Sequence, residues 1–173
     1  MIRHALASLI ATLLAVPAAQ ATPSELAPLV DSERPAGCSE YRFLFWDFYR
    51  AELWTDARDL PGEAYGLSLT YRSKFSRDEL VEASIDEMAR IAGRPEADFD
   101  AARAQMAQAF RDVVPGDRIT AWREAPDRVI FFVNGAEAGA LTEDAELFLS
   151  IWLGEKTRHP EGRMALLDGR CDG

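Results

Sequence analysis

The stretch Tyr41–Trp54, YRFLFWDFYRAELW, is the most apolar and aromatic run between Thr22 and the C-terminal end of a 173-residue chain. Its odd positions run Tyr41, Phe43, Phe45, Asp47, Tyr49, Ala51 and Leu53; its even positions run Arg42, Leu44, Trp46, Phe48, Arg50, Glu52 and Trp54. In the middle both sets are apolar, so the run reads as a central strand covered on both sides rather than a strand with one wet face. Aromatic and branched content argues strand over helix; a short buried helix is the alternative that periodicity alone leaves open. Asp47 sits among Phe45, Trp46, Phe48 and Tyr49. A carboxylate there is costly to bury without a partner.

The run is preceded by a leader pattern. Residues 1–21 have a basic start at Arg3 and His4, an apolar run of 12 residues from Ala5 to Val16, then Pro17 and Ala19-Gln20-Ala21. This reads as a cleavable secretory signal with cleavage after Ala21, which implies a periplasmic or secreted product. The apolar run is shorter than the ~20 residues a spanning helix needs. No cysteine follows the cut to carry a lipid, and no integral membrane segment is expected in the mature chain. Residues 22–37, TPSELAPLVDSERPAG, carry three prolines and no sustained period, and read as a flexible, loosely draped arm. Residues 38–173 form one domain, long enough to bury roughly 68–70% of its unfolded surface.

Without the leader, which holds one Arg and no acid, 18 Lys and Arg face 29 acids, a net charge of −11. That repels phosphate backbones and disfavours nucleic acid as a partner. Cys38 and Cys171 are the only cysteines. In an oxidising compartment they suggest a disulfide tying both ends together; a free thiol or a metal ligand is the competing reading. Metal binding has little support, because His159 is the only histidine beyond the leader. No cofactor is expected.

Downstream, Pro61-Gly62 marks a turn, and Tyr65, Leu67, Leu69 and Tyr71 alternate with polar or small residues as a half-buried strand antiparallel to the first. Ser76-Arg77-Asp78-Glu79 is a capping box that opens a helix with Leu80, Val81, Ile85 and Met88 on its inner stripe, ended by Gly93 and Pro95. A second helix follows, with Phe99, Ala102, Met106 and Phe110 on one side. Ile119–Glu124 and Arg128–Val133 read as strands. Asn134-Gly135 is the strongest hairpin signal and leads into Ala136–Ala140. Thr142 is expected to cap a third helix bearing Leu147, Phe148, Ile151 and Trp152, stopped at Gly154. A last helix spans Pro160 to Leu167.

This order describes an α+β domain, helices on one face of a mostly antiparallel sheet. The segments FLFWDFYRAELW, LTYRSKFSRDELVEASIDEMA, VVPGDRIT, VIFFVNGAEAG and LFLSIWLGEKT, in that order, resemble the bacterial chalcone isomerase-like proteins over Tyr41 to Leu167. The resemblance implies an open-faced β-sandwich with a cleft between sheet and helices. It also implies polar cleft residues that, in the plant chalcone isomerases, steady a developing enolate during intramolecular ring closure.

Those residues carry over poorly. The family tyrosine falls on Phe75, the lysine on Asp78-Glu79, and the threonine on Asp47 or Tyr49; no arginine stands at the matching distance, with Arg34 and Arg42 nearby. Each missing group represents about 2.7–4 kcal/mol of barrier by analogy with oxyanion donors. The leading expectation is therefore a non-catalytic binder of a small amphipathic or aromatic carboxylate ligand, fatty-acid-like, held by Arg42, Tyr49, Tyr71, Arg72 and Phe75. The alternatives are an isomerase or intramolecular lyase acting on an enone through Asp47 or Tyr49, and a cell-envelope scaffold with an unidentified protein partner. Each candidate has a structural counterpart. Asp47 could pair with Arg42, Arg50 or Arg72, the tyrosines could find local partners, the arginines could be solvated strand edges, and the four tryptophans could be core. No nucleophile elbow, P-loop, dinucleotide fingerprint or HExxH motif is present.

Overall fold

The computed structural model describes residues 22–43 and 46–171. The expected leader, and Leu44 and Phe45 of the aromatic run, lie outside the described residues. The chain forms one six-stranded antiparallel meander, β1 Gly37–Phe43, β2 Trp46–Trp54, β3 Tyr65–Tyr71, β4 Arg118–Ala125, β5 Arg128–Val133 and β6 Ala136–Leu141, in that spatial order. Four helices, α1 Arg77–Ala92, α2 Asp100–Ala109, α3 Ala145–Leu153 and α4 Pro160–Leu167, complete it.

The aromatic run is two strands. Phe43 pairs with Trp46 and Tyr41 with Tyr49, so the chain reverses inside the stretch read as one central strand. The reversal carries none of the Asn-Gly or Asp-Gly chemistry that marks a tight hairpin in a sequence. Apolar residues on both phases of the run therefore did not mean two covered faces: Trp46 is 67% exposed, and burial rises along β2 toward Trp54. β3 is covered on both faces along nearly its whole length, Ser68 being fully buried between Leu67 and Leu69.

On one face a cross-strand row of Leu53, Leu67, Ala121 and Phe131 makes the floor of the main core, and the helices lie over it. The Ser76 capping box is complete, its hydroxyl accepting from the Glu79 amide while the Glu79 carboxylate accepts from the Ser76 amide, and Gly93 closes α1 at φ 66°. Asn134 and Gly135 take φ 50° and 89°, as a type I′ turn requires. Thr142 does not cap α3. Its hydroxyl accepts from Gln105 Nε2 (3.0 Å) and its amide donates to Gln105 Oε1 (2.9 Å), so α2 holds this residue and α3 begins after Asp144.

Residues 22–37 are docked rather than loosely draped. Leu26 is fully buried on the sheet face away from the helices, with Val30, Trp54 and Trp122. Gly66 makes the seat, because a Cβ there would lie 2.8 Å from Leu26 Cδ1. Glu25 anchors the segment, accepting from Arg118 Nε (3.0 Å), Arg118 Nη2 (2.9 Å) and Thr120 Oγ1 (2.7 Å). The prolines misled because they speak to regular structure and not to burial. Cys38 and Cys171 are disulfide-bonded, Cα atoms 4.7 Å apart across 133 residues of chain. Among the described residues no helix is long and apolar enough to cross a membrane.

Candidate functional site

Between the sheet and the helices lies a cavity of about 140 Å³. Its floor is Tyr49, Leu67, Leu69, Tyr71, Ile119 and Ala121 from β2 to β4. Its roof is Leu80, Ala83, Ser84 and Glu87 of α1 with Ile151 and Trp152 of α3, and Phe110 and Phe148 close one end. The apolar members follow from strand alternation below and from the inner stripes of two amphipathic helices above.

The polar groups are few. Ser84 Oγ donates to the Leu80 carbonyl (2.8 Å) and is spent within its helix. Trp152 Nε1 donates to the Tyr49 hydroxyl (2.9 Å), which leaves the tyrosine's own proton for a guest. The Tyr71 hydroxyl makes no hydrogen bond to a described residue. Burial pushes both phenols far above their ordinary pKa, so each stands as a neutral donor and not as a base. Glu87 is the one charged lining residue, ion-paired to Arg90 (2.7 Å) and to Arg158. Such an enclosure can hold an apolar group and offer two hydrogen bonds to an oxygen acceptor.

Of the residues singled out in the sequence, Tyr49 and Tyr71 meet in this cavity, their rings 5.7 Å apart. Phe75 packs beside it on Tyr71 and Phe48 without lining it. The other three stand elsewhere. Asp47 is exposed at the outer end of β2 and paired with Arg42 Nε (2.7 Å), and Arg72 pairs with Glu40 (2.9 Å). The reason is strand phase: in β1 and β2 the odd positions Tyr41, Tyr49, Ala51 and Leu53 turn toward the helices, so Arg42 turns away. Asp47, though odd, stands opposite Arg42 because the register shifts by one residue between Tyr49 and Asp47, and it is exposed there. The sequence reading missed Glu87 and the indole that orients Tyr49. Trp152 was legible as part of the α3 stripe, but its partner is 103 residues away. Among the described residues no cluster could hold a metal ion.

No family model matches the chain, and no curated protein matches it in sequence. Among solved structures, a fatty-acid binding protein of Arabidopsis thaliana is similar with a TM-score of 0.61, over 80% of this chain and 88% of that one, at 14% identity. The fold is chalcone isomerase-like, an open antiparallel sheet with helices against one face.

Proposed function

We propose that the chain is an exported, non-catalytic binding module whose cavity takes the apolar part of a small amphipathic carboxylic ligand, fatty-acid-like or aromatic. One observation carries this reading: an apolar enclosure of about 140 Å³ roofed by two helices, with two neutral tyrosines in its lining. An apolar cavity of roughly 150 Å³ holds benzene. One ring or a short acyl segment therefore fits without rearrangement, and a longer tail requires α1 and α3 to give. The head group takes its hydrogen bonds from Tyr49 and Tyr71, with Arg158 beyond Glu87 as the nearby cation. The plant structure supports the reading at the level of fold. The leader and the Cys38–Cys171 bond fit export.

The test is denaturing extraction of purified protein followed by mass spectrometry, with calorimetric titration of octanoate and cinnamate. We expect an extracted ligand or saturable uptake, and a loss of uptake in Ala121→Leu, which fills the floor, with the fold retained by circular dichroism. An empty extract together with no uptake of either probe sinks the proposal. Chalcone consumption above the spontaneous rate that Tyr49→Phe abolishes would move the assignment to an isomerase.

A further inference from the structure

A second concavity, of about 460 Å³, lies apart from the cavity, where edge strand β1 meets the first turn of α4. Ser39 and Tyr41 border it on one side, Arg158, His159, Glu161 and Gly162 on the other. Tyr41 is 4% exposed, and its hydroxyl is buried without a hydrogen-bond partner. A buried hydroxyl left unpaired costs free energy, so its retention under a helix end asks for an acceptor. Burial pushes its pKa far up, which keeps it a donor.

The helix end supplies further donors. No side chain caps α4, whose first residue, Pro160, has no amide hydrogen. Arg163 is where the amides begin to reach back, donating to the His159 carbonyl (3.0 Å), so those of Glu161 and Gly162 precede the helical ladder. Gly162 lets the hydroxyls approach this turn: a Cβ there would lie 2.9 Å from Ser39 Oγ and 3.0 Å from the Tyr41 hydroxyl oxygen. The positive end of the helix dipole biases the place toward negative charge. Against that stands Glu161, while Glu40, also on the border, is engaged by Arg50 (3.0 Å) and Arg72 (2.9 Å), and Arg42 by Asp47.

We propose that Ser39, Tyr41 and the first turn of α4 form a binding site for a phosphate-type oxyanion. The tetrahedral oxygens accept from the two hydroxyls and from the Glu161 and Gly162 amides; Arg158, on the border, is already ion-paired to Asp86 (3.4 Å) and to Glu87. None of these hydroxyl and amide donors lines the cavity between sheet and helices.

The probes are inorganic phosphate and glycerol phosphate, with chloride at matched ionic strength as control, read by the His159 and Gly162 resonances and by Tm. A saturable response to inorganic phosphate marks a free-anion site, and one confined to glycerol phosphate marks an ester's head group; either supports the proposal. Tyr41→Phe weakens that binding about tenfold or more, the value of one hydrogen bond to a charged group. It also leaves the unliganded Tm unchanged or raised, since it deletes an unpaired hydroxyl. Ser39→Ala weakens binding in the same direction, and both variants keep the fold where Gly162→Ala could lose it. The proposal is overturned if phosphate and chloride act alike at millimolar concentration, or if Tyr41→Phe binds phosphate as tightly as the parent, a buried water then being the partner of Tyr41.

Discussion

Glu25 shows how much one side chain can organise here. Burial raises the cost of its charge, yet the hydrogen bonds from Arg118 and Thr120 outweigh that and hold its carboxyl below the usual carboxylate range. Thr120 shares its hydroxyl with the buried Ser68 (2.9 Å), so the acid ties the N-terminal segment to the two central strands. With a folded pKa below the unfolded one, its contribution is complete above the unfolded value of about 4.3 and is lost as pH falls through the lower folded value. Glu25→Gln should therefore cost about 1.5–3 kcal/mol at neutral pH, the worth of hydrogen bonds to a charged group. In urea unfolding across the acid range, the gap between parent and variant should close below that window; a gap that stays constant to low pH would show that charge is not the cause. In the sequence Glu25 is an ordinary acid in a proline-rich stretch. Its partners lie 93 and 95 residues away, beyond the reach of any local pattern. Asp47 is the converse, conspicuous among aromatics in the sequence and, in the fold, a solvent-exposed partner of Arg42.

Among elements, the helices were the most legible, because caps are local chemistry. Ser76 and Gly93 bracket α1, and Pro160 opens α4, at the positions their side chains and backbones dictate. Strands were legible as segments and not as neighbours. The alternation of β3 was plain, but that both of its faces are covered depends on Leu26 seating over Gly66 from residues that form no regular element. Leu26→Ala should consequently cost about 2–5 kcal/mol, as a fully buried leucine does. It should also shift tryptophan emission to the red, because Trp54 and Trp122 lie under that side chain. An unchanged spectrum with unchanged stability would mean that the segment does not hold its place in solution.

At the scale of the whole molecule, the disulfide joins β1 to the C-terminal tail, where Cys38 N–H also donates to the Arg170 carbonyl (2.9 Å). Cutting so long a loop removes a constraint on the unfolded chain, and Cys38→Ser with Cys171→Ser should lower stability by about 2–5 kcal/mol. Thermal melts of the parent with and without reductant check this; coincident midpoints would assign the bond no part in stability. From residue order alone followed the α+β class, the span of nearly every helix and the Asn134-Gly135 hairpin, since each rests on periodicities and turn chemistry that act over a few residues; the likeness to the chalcone isomerase-like fold came from the resemblance of an ordered set of segments. Only the folded chain decided that Tyr41–Trp54 reverses on itself, that β3 is covered on both faces, and that Tyr49 and Tyr71 line an apolar cavity while Arg42 and Arg72 pair outside it. Those outcomes depend on strand phase and on contacts between residues far apart in the chain, and a side chain carries no mark of the distant neighbour that will cover it.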